Sequence, residues 1–308
     1  MIKNAIEIKK LRKIYDNKFE ALKAIDLNIP KGSFYGLLGP NGAGKTTTIG
    51  AISGLVNYSE GNISIMGFDN KSDYRIARKL IGLSPQELNF DVFFPIEKVL
   101  EFQAGYYGLS AAEAKDRTEI MLEQFGLNEK RKNTCRELSG GMKRRLQIAK
   151  ALIHDPEILI LDEPTAGVDI ELRYMLWDFL KKINDEGKTI LLTTHYIEEA
   201  EQLCDRIAII DNGNIIIDET TENLTEKNGK SQIVIDCDNI NEHTDLDGLD
   251  FNLKDNQIII NTESPNRSLP LIMEKLNTSK VTINNIEIKK NTLEQVFLKL
   301  TKNNAINK

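Results

Sequence analysis

The sequence predicts an α/β fold: a mostly parallel sheet flanked by helices, opened by antiparallel strands, interrupted by a helical lobe and followed by a small α+β domain. Three observations predict it. Through the first two-thirds of the 308 residues, short β-rich runs alternate with helical patterns, as a parallel sheet with crossover helices requires. EILILDEP, TILLTTH and RIAIIDNG are apolar runs of strand length that end in polar residues. In open parallel sheets ligands sit beyond the carboxyl ends of strands, which is where those polar residues fall. After about Leu224 the texture changes to Asn- and Asp-rich sequence with regular apolar alternation. The expected domains are 1–224, with its helical lobe at about 87–137, and 225–308.

IEIKKLRKIY and ALKAIDLNIP alternate apolar and polar side chains, the period of a half-exposed strand. SFYGLLG is a continuous apolar run entering a glycine-rich turn, hence a buried strand; ISIMGFD and IGLSPQ read as further strands. FPIEKVLEFQAGYYG and SAAEAKDRTEIMLEQFG carry helical periodicity and form the lobe, with Ser110 as an N-cap. In RELSGGMKRR a hydroxyl and two glycines open a helix from Met142 to Ile153. Its Lys143–Arg145 triplet reads as a solvated helix face, not a nucleic-acid patch. The three apolar runs complete the sheet. Beyond Leu224, SQIVIDCD, NQIIINTE and VTINNIEIKK predict strands, while SLPLIMEKLN and TLEQVFLKL predict helices.

GPNGAGKTT, Gly39 to Thr47, stands between a predicted strand and a predicted helix and fits G-x-x-x-x-G-K-[ST]. Gly39, Gly42 and Gly44 let consecutive N–H groups face one centre, and Pro40, Asn41, Ala43 and Thr47 complete the nucleotide-binding loop. Lys45 supplies a point charge between β- and γ-phosphates, and the Thr46 hydroxyl coordinates Mg²⁺. ILILDEP adds two successive carboxylates. Asp162 holds the Mg²⁺ shell, while Glu163 polarises a water for attack on the γ-phosphate. Gln86 and His195 also stand at strand carboxyl ends. His195 is a candidate γ-phosphate contact; the Gln86 amide can touch both Mg²⁺ and the attacking water. The start of the RELSGGMKRR helix is a second anion-binding loop, because helix starts expose unpaired N–H groups and a positive dipole end.

A formal charge of −6 and a pI near 5.4 weigh against a protein that lives on nucleic acid. Cys135, Cys204 and Cys237 form no CxxC pair, which argues against a disulfide framework or a zinc site. The first fifteen residues lack an apolar signal core, and no window approaches the ~20 apolar residues of a membrane helix. A soluble chain is expected, with any membrane role borrowed from a partner.

In this order, the motifs resemble the ATP-binding cassette (ABC) family of transporter ATPases, phosphate-loop NTPases. LSGGM, Leu138 to Met142, resembles the family signature LSGGQ, with Met142 in place of Gln and Ser139, Gly140 and Gly141 intact. The resemblance covers nearly the whole chain. It implies ATP hydrolysis with Mg²⁺, and it accounts for two anion loops. In the family two cassettes face each other head to tail, so Ser139 and Gly141 of one copy bind the γ-phosphate held by Lys45 of the other in a homodimer. Asp169, in AGVD, matches the loop that crosses the dimer seam. Tyr15 matches the position that stacks on adenine, although a lone Tyr in a strand also serves packing.

In the family the ATP-driven motion reaches membrane subunits through a groove beside the loop bearing Gln86. FDVFFP, Phe90 to Pro95, lies near that groove, and its aromatics serve either the groove or the core of the lobe. NTLEQVFLKLT resembles the C-terminal ending of the ABC-2 type export branch, and AGYYG, LSGGMKRR and DEPTAGVDIELR resemble its bacterial members. RKNTCRE lacks the acidic loop of exporters whose ATPase is fused to its membrane domain. The resemblance therefore implies an exporter's nucleotide-binding subunit, held at the cytoplasmic face of the membrane by a separate ABC-2 type permease. The alternative is a soluble cassette of the iron–sulfur assembly type, which lacks a tail domain. Ribosome-acting relatives carry two cassettes and DNA-repair relatives carry long insertions; a non-catalytic sensor does not match the presence of both Glu163 and His195.

Overall fold

Two antiparallel strands, β1 (Asn4–Ile14) and β2 (Glu20–Pro30), begin the fold. The computed structural model describes residues 2–227, 231–238, 251–254, 257–262, 265–278, 281–289 and 292–306. Ile6, Ile8 and Leu11 of β1 are all fully buried although Ile8 and Leu11 are three residues apart. A bulge reconciles this with the two-residue period: the register shifts between Ile8 and Leu11, and Lys10 takes a φ of 48°. β3 (Phe34–Leu38) is buried along its whole length and leads through the glycine-rich loop into α1 (Lys45–Ser53). β4 (Glu60–Ile65) and β5 (Phe68–Asp69) then complete a four-stranded sheet in the order β2-β1-β4-β5. ISIMGFD is thus a hairpin and not one strand. Met66 and Gly67, with φ of 49° and 83°, form its two-residue turn, the conformation that matches the twist of paired strands.

A short α2 (Tyr74–Lys79) precedes β6 (Ile81–Ser84). The lobe follows as α3 (Ile96–Tyr106) and α4 (Ala111–Gln124). Ser110 caps α4 in a reciprocal capping box with Glu113, satisfying two otherwise unpaired donors. Glu97 of α3, 6% exposed, accepts from Arg131 Nε at 2.9 Å, and the same guanidinium forks onto Glu119 of α4. These bonds anchor the stretch that runs up to Ser139.

The chain continues through α5 (Gly140–Leu152), β7 (Ile158–Asp162), α6 (Ile170–Asp185), β8 (Thr189–Thr194), α7 (Ile197–Leu203), β9 (Arg206–Asp211) and β10 (Asn214–Thr220). A six-stranded sheet results, ordered β10-β9-β3-β8-β7-β6, with parallel pairing from β9 through to β6. β3, β7 and β8 are buried at every position, which is why their sequences run apolar without alternation. Parallel pairing puts the carboxyl ends of β3, β6, β7 and β8 on one edge. Leu38, Ser84, Asp162 and Thr194 end there, and the site is built on that edge.

His154, just after α5, stacks on Tyr107, just after α3, with ring centroids 3.4 Å apart and planes within 3°. Its Nε2 lies 3.1 Å from the Ile81 carbonyl oxygen. Burial pushes the imidazole down to about 4, because the charged form loses its hydration. A depressed histidine binds fewer protons folded than unfolded, so its contribution is intact above about pH 6.5 and is lost as pH falls toward 4. Urea unfolding at pH 7 and pH 5 should show the parent losing more stability between them than His154→Phe does. Equal losses would place the titration elsewhere.

Contacts divide the chain into Met1–Glu219 and Thr220–Lys308. The second unit contains α8 (Thr221–Lys227), β11 (Ser231–Asp238), β12 (Phe251–Lys254), β13 (Gln257–Thr262), α9 (Pro265–Thr278), β14 (Thr282–Lys289) and α10 (Leu293–Ile306). Its antiparallel sheet runs β12-β13-β11-β14. Ile233, Ile235 and Cys237 alternate onto one face of β11, and Ile272 and Leu276 of α9, one helical turn apart, close a core over it. Asn256, Glu263, Lys290 and Asn291, at the ends of the runs quoted for this region, lie outside the described residues. Among the described residues, no helix is long and apolar enough to cross a membrane.

Candidate nucleotide site

Beyond β3 the chain turns so tightly that Gly39 has no room for a side chain; a Cβ there would stand 2.3 Å from the Ile210 carbonyl oxygen. Gly44, the N-cap of α1, has a φ of 115°, a region L side chains avoid. The loop so formed leaves Pro40, Asn41, Gly42 and Thr46 exposed and Ala43 buried. Lys45 is 7% exposed, and its Nζ donates to the carbonyl oxygens of Gly39 at 2.7 Å and Pro40 at 3.1 Å. Burial lowers the Lys45 ammonium, against the attraction of Glu163 and Asp162. The Tyr15 hydroxyl lies 3.3 Å from Thr47 Oγ1, the residue is 38% exposed, and Lys13 Nζ stands over its ring 4.7 Å from the centroid.

Asp162 ends β7 opposite Thr193 of β8 in the parallel register, and the Thr193 hydroxyl donates to Asp162 Oδ1 at 2.5 Å. Burial pushes the Asp162 carboxyl up, and the negative charge of Glu163 adds to the rise. Glu163 departs from the strand with a φ of 50°, a left-handed conformation that costs on the order of 1–3 kcal/mol outside glycine. Its N–H is held by the Thr193 carbonyl at 2.9 Å. The twist breaks strand alternation and gives the two adjacent carboxylates different surroundings. Glu163 Oε2 accepts from Gln86 Nε2 at 2.8 Å and lies 3.2 Å from His195 Nδ1. Gln86, Glu163 and His195, each just past the end of one of three adjacent parallel strands, therefore meet at one carboxylate.

Ser139 and Asp169 take no part in that cluster; each caps a helix. Ser139 Oγ accepts from the Met142 N–H at 3.3 Å, so α5 begins at Gly140, ahead of the Met142 start expected from sequence. Ser139 and Gly140 are exposed and Gly141 half-buried. Asp169 Oδ1 accepts from the Leu172 N–H at 2.9 Å and starts α6. The expectation of a solvated Lys143–Arg145 face is corrected: Arg144 is 5% exposed, and Arg145 is half-buried with Nη1 on the Phe125 carbonyl oxygen at 2.7 Å. Both guanidiniums find backbone acceptors distant in sequence that no local pattern reveals. Phe93 and Phe94 are exposed, so these two aromatics are not core; Phe94 meets the Phe102 ring edge to face at 5.2 Å.

Sequence reasoning passes over Thr193 and Glu199. The Thr-Thr pair closing an apolar run is the signal for the first, since strand register alone sets it beside Asp162. Glu199 is fully buried in α7 and accepts from the Thr165 hydroxyl at 2.9 Å and Trp177 Nε1 at 3.1 Å, joining the loop after Glu163 to α6. Burial pushes its carboxyl up. An acid in an acidic, amphipathic helix gives no sign of such a position.

A profile of the ABC transporter family matches residues 22–166. The linearmycin resistance ATP-binding protein LnrL of Bacillus subtilis (strain 168) is 36% identical over 308 residues, covering 96% of this chain and 98% of its own. The Nod factor export ATP-binding protein I of Burkholderia orbicola (strain AU 1054) is 42% identical over 221 residues, 72% of each chain. The dimeric post-hydrolysis structure of the ATP-binding cassette MJ0796 bound to ADP and Pi superposes with a TM-score of 0.65 at 28% identity, covering 70% of this chain and 98% of that one. With the phosphate loop, the paired carboxylates and LSGGM in place on this fold, the chain belongs to the ABC transporter family and is one of its ATP-hydrolysing cassettes.

Proposed function

We propose that this chain is the ATP-hydrolysing subunit of an export system, working as a head-to-tail homodimer that drives a separate ABC-2 type membrane permease. The observation that carries the reading is the exposed start of α5. Ser139 and Gly140 lie open at a helix N-terminus, a second anion-binding surface on a different element from Lys45. One chain with one loop of each kind is completed by a second copy related by a two-fold axis. ATP then lies between Lys45 of one copy and Ser139 and Gly141 of the other, with Tyr15 stacked on the adenine and Asp169 at the seam.

Thr46, Gln86 and Asp162 would hold Mg²⁺. They offer only oxygen donors, as that cation prefers, and among the described residues no ion pair reaches the buried Asp162. When bound, the ion neutralises charge on the phosphate oxygens. Glu163, oriented by Gln86, takes a proton from the attacking water, and His195 faces the γ-phosphate. Loss of the γ-phosphate removes the bridge between copies, and the dimer opens.

Export is supported by the relatives named for linearmycin resistance and Nod factor export, the first matched along almost the whole of both chains. Exposed Phe93 and Phe94, shortly after Gln86, suit an apolar permease segment at the cytoplasmic face of the membrane. The test is to assemble the chain in lipid vesicles with a candidate ABC-2 type permease. Co-assembly and a raised ATPase rate are expected. A chain that stays off the vesicles with an unchanged rate would contradict the transport reading.

A further inference from the structure

The carbonyls of Gln86 and Glu87 are met by no backbone N–H among the described residues. Two buried side chains of α5 reach them instead. Arg144 Nη1 donates to the Gln86 carbonyl oxygen at 3.2 Å and the Pro85 carbonyl oxygen at 3.4 Å. Gln147 Nε2 donates to the carbonyl oxygens of Pro85 at 2.8 Å and Glu87 at 2.7 Å. Gln147 Oε1 in turn accepts from Arg144 Nη1 at 3.0 Å, so the pair is internally braced. The two residues are 5% and 4% exposed, whereas Pro85 to Asn89 form an exposed loop.

We propose that Arg144 and Gln147 are positioning residues for hydrolysis: they clamp three successive carbonyls of the Pro85–Glu87 loop and so hold the Gln86 amide against Glu163. This rests on the reading that Gln86 orients Glu163. An exposed loop without its own backbone bonds would otherwise sample many conformations, and the 2.8 Å Gln86–Glu163 bond would be made only part of the time. Spacing supports a shared task. Residues three apart lie on the same face of a helix, and this pair turns its polar groups inward where its neighbours on that face, Ile148 and Ala151, are apolar and buried. Desolvating a guanidinium is costly; the attraction of Asp162, Glu163 and Glu199 offsets part of that cost, and the loop carbonyls and Gln147 accept its hydrogen bonds. The same helix carries Ser139 at its N-cap, so the loop with Gln86 and the anion loop are mounted on one rigid element.

The test uses the full chain with four variants: Gln147→Leu, Arg144→Lys, Gln86→Ala and the double Gln147→Leu/Gln86→Ala. Leucine fits the buried volume without donors, and lysine keeps the charge without the planar fork. Gln147→Leu and Arg144→Lys should each lower kcat about tenfold, the loss typical of a displaced catalytic group, with ATP affinity within about twofold of the parent. The double variant should be no slower than Gln86→Ala, since clamp and amide act in series. Losses that multiply in the double variant would mean that Gln147 acts independently of Gln86 and would overturn the proposal. So would an unchanged kcat in both single clamp variants. Either result leaves the role of Gln86 standing, whereas full activity of Gln86→Ala would remove that role and the clamp together.

Discussion

Glu163→Gln is expected to bind ATP, to lose hydrolysis by about 10²-fold or more, and to accumulate as an ATP-bound dimer. Glutamine has nearly the size of glutamate and sits in the same left-handed position after β7, where the N–H still reaches the Thr193 carbonyl. Its amide cannot take a proton from water, so the chemical step loses its base while the phosphate loop is untouched. With the γ-phosphate retained, the bridge between copies persists. Phosphate release measures the first effect, and size-exclusion chromatography with and without ATP measures the second. Parent-like hydrolysis in this variant would assign the base to another residue.

Lys45→Ala should weaken ATP binding about 100-fold, the loss expected when charge-assisted bonds worth roughly 1.5–3 kcal/mol each disappear from a phosphate site. Lys45 is buried, its ammonium lowered by desolvation, and among the described residues its Nζ bonds to two loop carbonyls and to no carboxylate. Its charge therefore contributes little to the free chain, and the melting temperature should stay close to that of the parent. Calorimetric titration with ATP, read beside a thermal melt, separates lost binding from lost folding. Unchanged affinity would remove Lys45 from the phosphates.

The parts of this fold legible in the sequence are those where burial leaves a local trace. β3, β7 and β8 are covered on both faces, so the polar residues of β7 and β8 stand at the ends of their apolar runs. Gln86, Glu163 and His195 can be read as one site because parallel topology carries strand ends to a common edge, even though the residues lie far apart in the chain. Elements too short to establish a period escape: α2 with six residues, α8 with seven and β12 with four. So does the turn in ISIMGFD, since nothing in a methionine announces a positive φ at Met66. Arg144 is the instructive failure. Charge pattern assigns it to solvent, whereas its burial depends on partners distant in sequence, among them the carbonyls of Pro85 and Gln86. Ser139 and Asp169 show the opposite limit: within one chain they cap helices, and the nucleotide and seam roles proposed for them lie between two copies.

The most direct measurement is a disulfide crosslink between the two anion loops. Asn41 and Ser139 are exposed, while the three native cysteines are buried, so introduced thiols report cleanly. In the Glu163→Gln background, chains carrying Asn41→Cys are mixed with chains carrying Ser139→Cys, and mild oxidant is added with or without ATP. The expected result is a crosslinked pair that forms with ATP and only in the mixture. Absence of that pair under conditions where ATP is bound, or its formation regardless of ATP, would contradict a nucleotide held between the Lys45 loop of one copy and the Ser139 helix of the other.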